Sequence, residues 1–193
     1  MSGGVASDWL ADDRAQIAHT RILDTAVELF TQRGVGAVTM RDVADAAGCS
    51  RATLYRYFPG KQELMAAYVE RATREVASDV DSAIDEFAPP EKQLLTATLA
   101  ALRGVRTDPA LSSWFTTDMA ATSGHLALLS PAIDSVATEF LRRVLSDDVA
   151  RDDLALRAAW LVRVIVSLLT SPESDADAER ALLARFVVPA LTT

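Results

Sequence analysis

A chain of 193 residues, half of them hydrophobic and with a formal charge of −8, can hold one large domain or a small head fused to a medium body. Its single cysteine, Cys49, excludes an internal disulfide. The N-terminus MSGGVASDWLADD lacks an apolar signal core and no run reaches membrane length, so a cytoplasmic protein with no membrane association is expected. The charge is polarised: residues 14–61 carry +3 and those after Lys61 carry −8, so an acidic body would repel a polyanion that a modestly basic head approaches.

Residues 1–13 show no apolar periodicity and are expected to form a flexible arm. The first helix, about Arg14 to Arg33, places Ile22, Leu23, Ala26, Leu29 and Phe30 on one face, and Gly34 ends it. His19 falls on its polar side and reads as a surface residue.

The stretch Thr39–Lys61, TMRDVADAAGCSRATLYRYFPGK, reads as a helix-turn-helix. Thr39 can cap a short helix, with Asp42 as a capping-box acid three residues on. Met40, Val43, Ala44 and Ala47 share a face, and Gly48 can stop the helix in a left-handed conformation at little cost. Ser50 can cap a second helix, Arg51–Phe58, which turns Leu54 and Phe58 inward and leaves Arg51, Thr53, Arg56 and Tyr57 largely outside. Two short helices joined so tightly cross steeply, and the second can enter a DNA major groove. The outward residues suit that role: Arg forks onto guanine, Thr offers a hydroxyl or methyl, and Tyr hydroxyls reach phosphates. Lys61, at the next helix start, stands beside unpaired backbone N–H groups, a natural phosphate seat.

Residues Thr39–Asp42, Ala47-Gly48-Cys49-Ser50, Thr53-Leu54-Tyr55, Tyr57-Phe58 and Lys61–Leu64 resemble the DNA-binding signature of TetR-family bacterial transcriptional regulators. The likeness extends upstream through Ile22-Leu23, Ala26, Leu29-Phe30 and Gly34. It covers about a quarter of the chain and says almost nothing of the rest. The resemblance implies that Arg41, Arg51, Ala52 and Thr53 approach bases, with Ser50 at the helix start, and that Thr39, Tyr55, Tyr57 and Lys61 hold the backbone. Cys49, where the family usually carries an aliphatic residue, and Gly60, where a Ser or Asp cap is commoner, depart from the pattern without threatening it.

Beyond the head, Leu64, Tyr68, Ala72, Val76, Val80, Ile84 and Phe87 make an i, i+4 stripe that predicts one long fourth helix from Lys61 to about Ala88. A fifth helix, about Glu91–Arg106, carries Leu94, Leu95, Leu99 and Leu102. Asp108-Pro109 opens a short sixth helix with Trp114, Phe115 and Met119. After Thr122-Ser123-Gly124 a helix runs to about Ser146, and Pro131 either kinks it or starts a new one capped by Ser130. The eighth helix, about Asp152–Thr170, is apolar on most of its circumference, and a ninth runs to about Leu191. The fold class is therefore all-α: a three-helix head, residues 14–60, and a helical ligand-binding and dimerisation domain, residues 61–193, with about nine helices in all.

A helix apolar all round needs cover on both sides. A second copy would supply it through Trp160, Leu161, Val164, Ile165, Leu168 and Phe186, forming an intermolecular four-helix bundle. The bland alternative is a core helix of a monomer. Tyr68, Trp114, Phe115, Met119, His125 and Phe140 are candidates to line a pocket in the body, although aromatics at helical spacing are mostly core. By resemblance this region senses small, often apolar molecules.

His19 and His125 lack metal-ligand spacing, and no phosphate loop, nucleophile elbow or zinc helix appears. No catalytic residue, metal or cofactor is expected, and Cys49 reads as a small filler. The expected function is a dimeric DNA-binding regulator, most simply a repressor that leaves a palindromic, double-stranded operator when a small molecule binds. The alternatives are an activator of the same fold, or a small-molecule-binding or enzymatic protein that keeps the head as scaffold. The outward Arg41, Arg51, Tyr57 and Lys61 speak against a scaffold.

Overall fold

The computed structural model describes residues 8–114, 127–128, 130–145 and 149–192, in which helices are joined by short connections and no strand occurs. Helix α1 (Asp8–Arg33) is followed by α2 (Met40–Ala47), α3 (Arg51–Tyr57), α4 (Lys61–Ala83), α5 (Pro90–Thr107) and α6 (Pro109–Trp114). Helices α7 (Pro131–Val144), α8 (Arg151–Thr170), α9 (Ala176–Leu182) and α10 (Val188–Thr192) complete the order, with a π-helical stretch Leu183–Val187 between the last two. The chain divides into two compact units, and the division falls after Tyr68, inside α4, rather than before Lys61.

Helix α1 already contains Asp8–Asp13, the end of the expected arm. The stretch lacks apolar periodicity, but it holds no breaker, and its acids suit a helix N-terminus. In the first unit Ile22, Leu23, Ala26 and Phe30 of α1 are buried with Val43, Ala44 and Ala47 of α2, Leu54 of α3 and Leu64, Met65 and Tyr68 of α4. His19 is half-buried, its ring centroid 4.5 Å from that of Phe58, so it belongs to this core's edge and not to the surface.

In the second unit Leu94 and Leu102 of α5, Phe140, Leu141 and Val144 of α7, Leu154, Leu161 and Leu168 of α8 and Leu183, Val187 and Leu191 form the core. Helix α4 ends at Ala83, and Phe87 is 98% exposed, so the expected stripe runs out one turn early. Of the two readings of Pro131, a new helix holds: the Ser130 side chain accepts from the Ile133 amide. The Asp108 carboxylate accepts from Ala110 N and Leu111 N, each at 2.8 Å, to cap α6.

One ion pair stitches the far end of this unit. Arg106, in the last turn of α5, donates to both oxygens of Glu179 on α9, at 2.9 and 2.6 Å, and to the Leu168 carbonyl of α8 at 3.0 Å. Glu179 is 5% exposed. Its bonds to the guanidinium hold the Arg106 pKa above the ordinary value. Arg157 of α8 pairs with Asp153 at 2.7 Å and donates to the Leu191 carbonyl near the end of α10.

Candidate nucleic-acid interface and cavity

The head is built by local chemistry. Thr39 caps α2: its hydroxyl oxygen accepts from Asp42 N at 3.2 Å, while the Asp42 carboxylate accepts from Thr39 N at 2.8 Å. Those bonds, led by the Thr39 side chain and aided by Arg33 with Nη1 at 3.5 Å, hold the Asp42 carboxyl below its ordinary pKa. At the other end Gly48 adopts φ 66°, and the Cys49 amide reaches back to the Ala44 carbonyl at 3.0 Å. Two residues later Ser50 caps α3 by accepting from Thr53 N at 3.1 Å. The turn is thus closed by a left-handed glycine and opened again by a cap, with no residue spare.

The expected recognition set divides by what its side chains are doing. Arg51 and Ala52 are exposed at the start of α3, and Arg51 makes no ion pair among the described residues. Arg41 is exposed and lies 3.5 Å from Asp45, a pair too wet to hold it. Tyr55 is 47% exposed, and Tyr57 is half-buried beneath the Arg56 guanidinium, 5.1 Å from its ring centre. Ser50 and Thr53 share a hydroxyl contact at 2.9 Å, so the Ser50 oxygen is committed to the cap. Lys61 departs furthest from its expected role. Its ammonium points into the head and donates to the Val35 and Val38 carbonyls, each at 2.6 Å.

The second unit holds a partly open cavity of about 530 Å³, within the ordinary range for small-molecule sites. Its walls are aliphatic: Val76, Ala77 and Val80 of α4, Ala101 and Val105 of α5, Ile133, Val136 and Ala137 of α7, and Ile165, Val166 and Leu169 of α8. These residues are only half-buried although they sit inside the bundle, because the cavity faces them. Polar groups on the lining are few. Thr73 and Thr98 donate their hydroxyl protons to the Val69 and Leu94 carbonyls, and Arg143 pairs with Asp81 at 2.6 Å, both half-exposed.

Of the aromatics expected here, Phe140 lines the cavity. Tyr68 does not: it is 1% exposed and is the last residue of the first unit, outside the cavity's lining. Phe115, Met119 and His125 lie outside the described residues, as does the side chain of Trp114. The pairing face needs a similar correction. Leu161 and Leu168 are 4% and 5% exposed in this chain's own core, and Ile165 lines the cavity. What α8 leaves outside is Leu156 at 70% and Trp160 at 38%, with Val164 half-buried beside them and Phe186 at 65% nearby in sequence on the π stretch.

Comparison with known proteins places this architecture. A family model for bacterial regulatory proteins of the tetR family matches residues 22–68, from the first core residues of α1 to the end of the head. An uncharacterised HTH-type transcriptional regulator of Mycobacterium tuberculosis H37Rv, Rv1255c, is 43% identical over 186 residues, covering 96% of this chain and 91% of its own. The chain belongs to the TetR family of bacterial transcriptional regulators. This TetR-family protein is therefore a DNA-binding regulator and not an enzyme; regulators of the family bind DNA operators and typically form dimers. It is also similar to the repressor KstR of Rhodococcus jostii RHA1, 26% identical over 183 residues that span 92% of this chain and 85% of KstR. Among solved structures, the TetR-family repressor AlkX from a Dietzia strain matches with a TM-score of 0.65 at 29% identity, over 89% of this chain and 96% of that one. Resorcinol-bound RolR matches at 0.71 with 17% identity over 93% of this chain and 89% of that one, a likeness of fold alone. Among the described residues no helix of the regulator is long and apolar enough to cross a membrane.

Proposed function

We propose that this regulator represses transcription by holding a palindromic operator as a homodimer, and leaves it when a small, apolar and largely aliphatic molecule fills its cavity. The observation that carries the reading is the cavity itself. Bundle interiors are packed to crystal-like density, so an aliphatic cleft of about 530 Å³ that the chain's own side chains leave unfilled offers a small apolar molecule a place to bury its surface. Helix α4 supplies Val69, Ala72, Val76 and Val80 to that wall and is continuous with the turn that begins at Lys61. A molecule that changes the packing of these residues acts on the same helix that enters the head.

The relatives support repression: KstR is a repressor, and AlkX is a repressor implicated in n-alkane biodegradation. Within the head, the reading assigns base edges to Arg51, Ala52, Thr53 and Arg41, and DNA backbone contacts to Thr39, Tyr55 and Tyr57. Pairing falls to the strip of Leu156, Trp160, Val164 and Phe186 left exposed on the C-terminal helices. The test is selection of bound duplexes from a random library, followed by release assays with alkanes, alkanols and alkanoates of graded length. A recovered inverted repeat, released by an apolar compound in proportion to its occupancy of the cavity, is the expected result. A single half-site, or binding unaffected by any compound that enters the cavity, overturns it.

A further inference from the structure

We infer that Lys61 is a positioning residue for DNA binding, acting from within the head by tying the first turn of α4 to the connection that leads into α2, and is not a phosphate contact. The inference rests on the DNA-binding role of the head.

The geometry leaves the ammonium little freedom. Its nitrogen lies 2.6 Å from the Val35 carbonyl and 2.6 Å from the Val38 carbonyl, short charge-assisted bonds that use two of its three donors. Both carbonyls belong to the connection between α1 and α2, whose valine side chains are 2% and 1% exposed. The connection starts from Gly34 at φ 75° and ends at the Thr39 cap, so it carries no helical ladder of its own. The Val38 carbonyl lies one residue before the cap. Withdrawing the ammonium toward a phosphate would strip this part-buried oxygen of its donor, and a lost partner costs more than a surface contact returns.

The connection is held from the other side as well. Asp42 accepts from Thr39 N at 2.8 Å and lies 3.5 Å from Arg33. Lys61 and Asp42 therefore clamp the two ends of one short segment, and that segment sets where α2, and with it α3, begins. Burial lowers the Lys61 pKa while the nearby Asp42 charge raises it, as expected for an ammonium drawn in from solvent. A lysine suits the job better than an arginine. A compact ammonium can put one nitrogen on two converging carbonyls, whereas a planar fork spreads its donors.

The composition makes the test direct, because Lys61 and Lys92 are the only lysines. In full-length protein labelled with ¹⁵N-lysine, the side-chain ammonium spectrum holds two signals, and exposed Lys92 is the internal control for fast exchange. The Lys61 signal is expected to be protected from exchange without DNA and to keep its shift when the selected operator duplex is added. Lys61→Arg and Lys61→Met are both expected to lose about tenfold or more in operator affinity, the scale of one disrupted charge-assisted pair. The salt dependence of Lys61→Arg should match wild type. If Lys61→Arg binds like wild type while Lys61→Met loses affinity and about one unit of salt slope, Lys61 is a phosphate contact and the inference falls. A Lys61 signal that exchanges as fast as Lys92 in free protein also overturns it, whether or not Lys61→Met folds. If wild type itself selects no duplex, the DNA-binding reading fails, and the free-protein spectrum still decides the clamp.

Discussion

Asp42 and Arg51 show how differently two charged residues a few positions apart can work. Asp42 is spent on the fold: it closes the capping box with Thr39, and its carboxyl titrates below the unfolded value of about 3.9. A depressed carboxyl stabilises the folded state fully above its unfolded pKa and loses that contribution as pH falls through the lower, folded value. Wild type and Asp42→Asn should therefore differ in thermal stability at neutral pH, keep that gap down to about pH 4, and converge only as pH falls further through the folded value; a gap that stays constant at still lower pH would show that the carboxylate charge is not the source. Thr39→Ala should cost about 1 kcal/mol for the same cap. Arg51, by contrast, has no intramolecular ion pair among the described residues and stands exposed at the start of α3. Arg51→Ala is expected to lose about 1–3 kcal/mol on the selected operator and to relax preference at one base position, read by comparing operator and non-operator affinity. A uniform loss on every sequence would move base reading to Arg41. The caps, Gly48 and the inward Leu54–Phe58 pair were legible in the sequence because each depends on neighbours within a few residues. Lys61 and His19 were not legible. The carbonyls that take Lys61 lie 26 and 23 positions away, and Phe58 crosses back over His19 only once three helices have packed.

Elements in the second unit were legible as helices but not in their sidedness. The apolar circumference of α8 suggested a face for a partner, yet α5, α7, α10 and the cavity consume most of it, leaving Leu156 and Trp160 outside. No periodicity distinguishes a residue that faces a cavity from one that faces a core. The π stretch Leu183–Val187 was equally hidden. It inserts a wider turn, so that Leu183, Val187 and Val188 are all buried while Phe186 is turned out. Just before it sits Glu179, whose carboxylate is held by Arg106, and this pair makes an asymmetric prediction. Arg106→Ala strands a carboxylate that is 5% exposed, and should cost about 3 kcal/mol, the low end of the range for a broken buried pair because Arg106 is itself 38% exposed. Glu179→Ala leaves a guanidinium that water reaches and that keeps the Leu168 carbonyl, so its cost should stay within about 1–2 kcal/mol. Denaturant unfolding of the two variants decides the order, and a larger loss for Glu179→Ala would mean that packing at Glu179 matters more than its charge.

For the whole molecule, the proposed reading ties the exposed strip of α8 and the cavity to one DNA equilibrium. The exposed strip of α8 predicts that Trp160→Glu yields a folded monomer with weakened operator binding, whereas Leu168→Glu, 5% exposed in the core, yields unfolded protein. Sedimentation beside circular dichroism separates the two, and a Trp160→Glu protein that remains a stable dimer would place pairing elsewhere. The cavity makes the last claim. If a filling molecule binds the DNA-free state more tightly by some factor, then the operator must weaken that molecule by the same factor. A side chain built into the void should imitate occupancy without the linkage. Ala101 is half-buried on the α5 wall, and enlarging it to Leu adds three carbons where there is space rather than protein. Ala101→Leu is therefore expected to keep or raise the melting temperature, since it replaces void by dispersion contacts. Its affinity for the compound that releases wild type should fall severalfold, measured by calorimetry without DNA. Its operator affinity should then show one of two informative values. Unchanged affinity means that the filled and empty walls hold α4 alike, so release requires the larger ligand. Weakened affinity means that occupancy alone moves the balance. A variant released by the same compound at the same concentration as wild type would show that the compound does not act through this cavity.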